Sequence, residues 1–166
     1  MIKKRRTLCL GLACLLTLVV TGCAVETSTM YKGNSPSPKM SVVALQKGGD
    51  QIGTWETFDI KINYKYVQSG ETLDISGQAV LSQHYQMGYN SITRLFIYLF
   101  FLDENSRVLK TARIAWAGTG ATDEVMPFSQ QYAVPVGAKS ISFGYDGTAR
   151  EYREINSFYE LPLRSK

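Results

Sequence analysis

The chain has 166 residues, of which 45% are hydrophobic and 19% are charged. This length and composition predict one globular domain with additional segments, and they exclude a disordered or collagen-like chain. The formal net charge is +4, but residues 3–6 carry the whole excess, and the chain from residue 23 onward has equal numbers of basic and acidic residues. A neutral domain lacks the basic surface that DNA or RNA binding requires, so we expect no nucleic-acid partner.

Residues 1–22 have the pattern of a secretory signal peptide. A short basic segment at residues 3–6 precedes an apolar run over residues 7–20. This run is shorter than the roughly 20 residues that a helix needs to cross a bilayer. It matches the apolar region of a signal peptide that is removed on export. The alternatives are an ordinary signal in which the following cysteine is incidental, or an uncleaved anchor.

The end of this segment resembles the lipobox of bacterial lipoproteins. Residues 20–23 read Val-Thr-Gly-Cys, with small residues immediately before the cysteine. The resemblance implies that the thiol of Cys23 receives a diacylglyceryl group, that the signal is then cut before Cys23, and that the new amino terminus receives an N-acyl chain. We expect no other cofactor. In lipoproteins of diderm bacteria, Asp after the cysteine favours the inner membrane, and this chain has Ala24. The resemblance therefore implies a lipid anchor in the outer membrane facing the periplasm, with another bacterial membrane surface as the alternative.

The number of cysteines agrees with a lipid anchor and argues against other roles for cysteine in the mature chain. Cys9 and Cys14 lie in the apolar run and leave with the signal, so the mature chain retains Cys23 alone. A modified single cysteine allows no internal disulfide, no thiolate nucleophile and no cysteine-based metal site. The exported domain must therefore depend on its hydrophobic core.

Residues 24–39 are rich in Ser, Thr, Pro, Gly and Asn and show no apolar period. This composition predicts that residues 23–39 form a semi-flexible tether between the lipid and a domain at residues 40–166. The alternative is a first strand or loop that packs on the domain through Met30 and Tyr31.

From residue 40 onward the apolar pattern has a period of two. In residues 58–66, Phe58 and every second residue after it are apolar or aromatic, while the residues between them are polar. Residues 73–81 repeat the alternation after a Ser-Gly turn, which predicts a hairpin. Residues 42–46 could form a short helix or a first strand.

Residues 92–102 are almost continuously apolar, which predicts a central strand covered on both faces and paired with residues 108–117. Further strands are expected near 128–134, near 140–145 before a turn at Asp146-Gly147, and at 155–163, where Pro162 restricts the strand to an edge. About seven short strands without a predicted helix indicate an all-β fold, an antiparallel β-sandwich of immunoglobulin-like type. A small β-barrel is the alternative.

The search for catalytic or metal-binding residues finds none. His84 is the single histidine, and no Gly-x-Ser-x-Gly motif supplies a nucleophile beside it. The adjacent carboxylate pairs at 103–104 and 123–124 belong to polar turns, where we expect solvated carboxylates and neither acid–base catalysis nor a calcium site. We therefore expect a protein that is not an enzyme, with no catalytic residue and no metal.

One loop offers a candidate binding site. The segment 82–90 lies between two predicted strands and contains His84, Tyr85, Met87 and Tyr89. Aromatic side chains at loop tips can stack on sugars or anchor a protein. The alternative is that they fold back and plug the end of the sandwich. Phe96, Leu99, Trp55 and Trp116 are expected in the core.

These features predict a non-catalytic, lipid-anchored envelope protein that presents a β-sandwich to a protein partner, such as an envelope or secretion assembly. The second hypothesis is a glycan-binding or small-ligand-binding module that uses the aromatic loop, and an uncharacterised hydrolase is the third. The oligomeric state does not follow from the sequence.

Overall fold

The computed structural model describes residues 27–164. The predicted signal peptide and Cys23 lie outside the described residues. The described chain is 61% strand and 4% helix, in two antiparallel sheets that do not close into a barrel. This confirms the predicted all-β sandwich. The elements are β1 (Thr27–Ser28), β2 (Val42–Ala44), β3 (Gln51–Glu56), β4 (Ile60–Ser69), β5 (Thr72–Leu81), α1 (Gln83–Gly88), β6 (Ser91–Leu102), β7 (Val108–Ala117), β8 (Met126–Ala133), β9 (Ser140–Glu151) and β10 (Glu154–Glu160).

The larger sheet has the strand order β1-β7-β6-β9-β10, and β2 also pairs with β9. The smaller sheet has the order β3-β4-β5-β8. The predicted hairpins β4–β5 and β6–β7 are both present. Gly70 closes the first of them with a φ of 61°, a left-handed conformation that glycine adopts without steric cost.

The core lies between the two sheets and follows from the alternation in the sequence. Ile60, Ile62 and Tyr66 on β4 are buried, and Trp55 on β3 is 1% exposed, as predicted for that tryptophan. Phe58 is an exception. It lies before β4 begins and is exposed, so the alternating pattern does not continue into the turn that precedes the strand. Each large apolar side chain buried here contributes about 1.5–3 kcal/mol of transfer free energy.

The long strand β6 is covered on both faces over only part of its length. Leu99 and its neighbours on the inner face are fully buried, as predicted. Phe96 is only half-buried, because it lies on the outer face, where no further layer covers it. Phe100 lies farther along the same outer face and is buried against Tyr31, whose ring packs edge-on at 5.8 Å.

The N-terminal part of the described chain is therefore a packed segment, and the tether prediction fails for residues 27–39. β1 pairs with β7 through Thr27–Ala112 and Ser28–Thr111, and Ser35 forms a bridge with Leu163. Thr111 donates a hydrogen bond from its hydroxyl to the carbonyl of Met30. Polar composition suggested a tether, but backbone pairing and one tyrosine are sufficient to dock the segment on the outer face of the large sheet.

Three other elements differ from the sequence prediction. β9 continues through Asp146 and Gly147, because both neighbouring strands supply partners there, and the turn falls at Tyr152. β3 was not predicted, and the segment 82–90 contains the short helix α1. The ambiguous segment at residues 42–46 contains strand β2.

Candidate functional site

The predicted binding loop is largely closed on itself. Tyr85 is buried, with its ring 4.5 Å from that of Phe158 and stacked on Tyr89 at 4.9 Å. Tyr89 is half-buried, and of the four predicted residues only His84 and Met87 are exposed. They border a shallow depression of about 520 Å³ at the end of the sandwich. The tyrosines therefore serve as the plug that the alternative described, and the aromatic binding loop loses its main side chains.

The carboxylate of Asp59 lies close to two buried tyrosines, Tyr145 and Tyr85. The hydroxyl of Tyr145 donates a hydrogen bond of 2.5 Å to Asp59, and Thr57 donates to the Tyr145 oxygen at 3.2 Å. Burial raises the pKa of Tyr145, and its hydrogen bond to Asp59 raises that pKa further. Burial also raises the pKa of Tyr85, and the negative charge of Asp59 adds to that shift. The Tyr145 phenol is thus a hydrogen-bond donor to this carboxylate within the core. This arrangement supports the fold and offers no reacting group.

The described residues hold no group of three His, Cys, Asp or Glu side chains that could bind a metal ion. Within residues 27–164, no helix is long and apolar enough to cross a membrane.

A different group of aromatic residues is exposed on the outer face of the large sheet. The strand registers place Trp116 opposite Phe96, Phe96 opposite Asp146, and Asp146 opposite Tyr159. Residues directly opposite in an antiparallel sheet share a face, so these four side chains form one row across β7, β6, β9 and β10. Trp116 is 67% exposed and Tyr159 is 66% exposed.

Arginines flank the centre of this row. The guanidinium groups of Arg94 and Arg113 each lie 5.3 Å from the centre of the Phe96 ring, one on β6 and the other on β7. Arg94 also donates to both carboxylate oxygens of Asp146 at 3.2 Å. Cation–π contacts and this paired carboxylate hold the arginine side chains flat against the sheet.

Tyr98 completes the surface at its border with the N-terminal segment. Its ring lies 6.4 Å from that of Phe96 and 6.2 Å from that of Phe100. Burial raises the pKa of Tyr98, and the charges of Tyr31 and Asp146 raise it further, while the two arginines lower it. We call this surface the aromatic face; its members are Arg94, Phe96, Tyr98, Arg113, Trp116, Asp146 and Tyr159.

The aromatic face was not predicted, because Phe96 and Trp116 were expected in the core; Phe96 is half-buried and Trp116 is exposed. The signal was the position of each residue relative to its neighbours. Leu95 and Ile97 alternate with Phe96 and are fully buried, so Phe96 must point the other way. The period of the sequence shows which residues share a face of the strand. It does not show whether another segment of the chain covers that face.

The fold and this surface together define a class, an antiparallel β-sandwich with an exposed aromatic and arginine surface on one sheet. Comparison of the chain with protein-family models, with curated proteins and with solved structures finds no match.

Proposed function

We propose that this protein is a non-catalytic, lipid-anchored protein of the bacterial envelope that binds a protein partner through the aromatic face. The observation that carries the proposal is the row of Trp116, Phe96, Asp146 and Tyr159 across four strands, with arginines packed on its centre. Tryptophan, tyrosine and arginine are the residues that dominate binding energy at protein interfaces. A flat sheet face suits a protein surface better than a small ligand, which needs a concave site.

The aromatic face is also prepared for binding at low entropic cost. The stacked guanidinium groups and the Arg94–Asp146 pair hold long side chains in place before a partner arrives. Ordering a flexible arginine on binding would otherwise cost about 0.5–1.5 kcal/mol. Trp116 and Tyr159 remain available as exposed apolar anchors at either end of the row.

Site-specific photo-cross-linking in the native envelope tests this proposal. A photoreactive residue replacing Ser157, which is exposed on β10 beside Tyr159, should give a discrete cross-linked species. The double change Trp116→Ala and Tyr159→Ala should remove that species, because it removes both exposed anchors. The control Ile52→Ala alters an exposed residue of the other sheet and should leave cross-linking unchanged. Equal loss with the control, or no loss with the double variant, would contradict the proposal.

The anchor is tested separately. Cys23→Ala removes the thiol that the lipobox resemblance assigns to acylation, so the protein should lose all label from a metabolically supplied fatty acid. The product should be either uncleaved protein, which retains the apolar run at residues 7–20, or soluble protein, since no acyl chain is attached. Label retained by the Cys23→Ala protein would refute the assignment.

A further inference from the structure

Exposed apolar side chains occur together at one end of the sandwich. Phe58 precedes β4, Met87 lies in α1, Val125 precedes β8, and Tyr152 joins β9 to β10. These four positions belong to separate loops at the same end. The registers that bring the loops together are Ile60 with Leu81, Ala79 with Met126, and Ser91 with Arg150. We call this the apolar end of the sandwich.

The opposite end has a different character. The turns after β4 and β6 consist of glycine, polar and charged residues, and the turn after β8, at residues 134–139, carries the exposed Val136. Leu163 is also exposed on this side, beside Ser35 and away from Val136 in the chain. Single exposed apolar residues are ordinary on protein surfaces, whereas four on adjacent loops mark a contact surface.

The direction of β1 places its first residue on the side of the apolar end. β1 runs antiparallel to β7 from Thr27, opposite Ala112, to Ser28, opposite Thr111. Thr27 is therefore the end of β1 nearer to Trp116. Cys23 is four residues before Thr27, and four residues span at most about 14 Å in any conformation. Trp116 lies four residues beyond Ala112, about 13 Å along the strand.

This short reach restricts the position of the bilayer. If Cys23 carries the acyl chains, as the proposed function states, the lipid surface lies within one short peptide of the β1–β7 pair. The long tether predicted from the sequence would have allowed any orientation, but the docking of residues 27–39 removes it. The sandwich must then lie close to the membrane, and Thr27, the residue from which Cys23 is reached, is at the end of β1 nearer to the apolar end.

We infer that the apolar end of the sandwich contacts the bilayer, with Phe58, Met87 and Tyr152 inserted at the level of the lipid headgroups beside the acylated Cys23. This inference rests on the lipid anchor of the proposed function. Aromatic residues with a polar tip, such as Tyr152, favour the membrane–water interface. In this orientation the aromatic face stands roughly perpendicular to the membrane and remains accessible to a protein partner.

Charge at this end indicates which lipids it contacts. Carboxylates outnumber arginines in its loops; the charged residues are Asp59, Asp123, Glu124, Arg150, Glu151, Arg153 and Glu154. Attraction to anionic lipid would need the reverse balance. Contact therefore depends on the apolar side chains and on zwitterionic headgroups, and an added anionic lipid should not strengthen it.

Depth-dependent fluorescence quenching tests this orientation on the full acylated protein in phosphatidylethanolamine–phosphatidylcholine vesicles. Cysteine replaces Phe58, Met87 or Tyr152 in turn and carries an environment-sensitive fluorophore. Val136→Cys at the opposite end, where the native side chain is 95% exposed, provides the matched control. Nitroxide-labelled lipid should quench the three probes at the apolar end several-fold more strongly than the probe at residue 136.

Each outcome has a separate meaning. Vesicle-bound protein with equal quenching at both ends, or with stronger quenching at residue 136, overturns the orientation and leaves the anchor intact. Acylated protein that fails to bind the vesicles overturns both the anchor and the orientation. Probes shielded in native envelopes but unquenched in protein-free vesicles would assign the apolar end to a protein partner and overturn the membrane contact.

Discussion

Tyr85 shows how a single side chain closes one end of the sandwich. Its ring contacts those of His84 at 5.3 Å, Tyr89 at 4.9 Å and Phe158 at 4.5 Å. The helix α1 has no side-chain cap at its first residue and only six residues, so local hydrogen bonding contributes little to its stability. Packing of Tyr85 is therefore what holds this segment against the core.

Replacement of Tyr85 by alanine should destabilise the protein strongly. The change removes a buried ring and leaves a cavity beside Phe158, so we expect a loss of about 3–5 kcal/mol in the free energy of unfolding. Met87→Ala alters an exposed residue of the same helix and should cost less than about 0.5 kcal/mol. Urea unfolding at equilibrium measures both variants. Similar costs for the two would mean that the segment is held by something other than the tyrosine.

At the scale of elements, β6 is the strand whose two faces have different roles. Its inner residues form the centre of the core, while its outer face is covered by the N-terminal segment near Phe100 and exposed near Phe96. One strand thus links the packing of the sandwich to the surface proposed for partner binding.

This difference predicts unequal costs for two truncations on the same strand. Leu99→Ala should lower the free energy of unfolding by about 2–5 kcal/mol, because the side chain is fully buried. Phe96→Ala should cost only about 1 kcal/mol, the centre of the distribution for point substitutions, because the side chain is half-buried and leaves no enclosed cavity. It should nevertheless weaken partner cross-linking, since both arginines pack on this ring. Chemical denaturation and cross-linking report the two effects, and a larger stability loss for Phe96→Ala would reverse our assignment of the faces.

The strands that alternate between apolar and polar residues were predicted from the sequence, because a strand with one buried face has an apolar residue at every second position. β4 and β5 are the clearest cases. Positions that depend on a distant segment were not predicted. Tyr31 covers Phe100 across 69 positions of the chain, and Asp146-Gly147 stays extended only because strands on both sides pair with it. The candidate site was missed for the same reason, since whether Trp116 is covered depends on chain that lies far away in sequence.

At the scale of the whole molecule, the buried tyrosines link stability to alkaline pH. Burial raises the pKa of Tyr85, Tyr132 and Tyr145 above 10.0, the ordinary value that these groups recover on unfolding. Above pH 10 the unfolded chain therefore loses protons that the folded chain retains, and the free energy of unfolding falls as the pH rises. Below pH 10 the contribution of these tyrosines is fully present.

We expect the urea midpoint to decline steeply above about pH 10. The variant Tyr145→Phe lacks one of the three ionisable groups, so its midpoint should start lower at neutral pH and then decline less steeply. Circular dichroism at a series of pH values measures both curves. Parallel curves for the two proteins would show that Tyr145 ionises equally in the folded and unfolded states.

The pairing of β1 with β7 also determines how the domain bears mechanical load. If Cys23 carries the proposed anchor and the apolar end faces the membrane, a force on the anchor pulls β1 along its own axis, so the backbone hydrogen bonds to β7 are sheared together and not peeled one after another. Beyond β1, the bridge between Ser35 and Leu163 ties the loaded segment to the C-terminal part of the chain. A partner bound to the aromatic face and pulled away from the membrane would therefore apply its force to the paired strands β6, β7 and β9 together. The docked N-terminal segment would transmit that force to the proposed anchor through its hydrogen bonds to β7 and its bridge to Leu163.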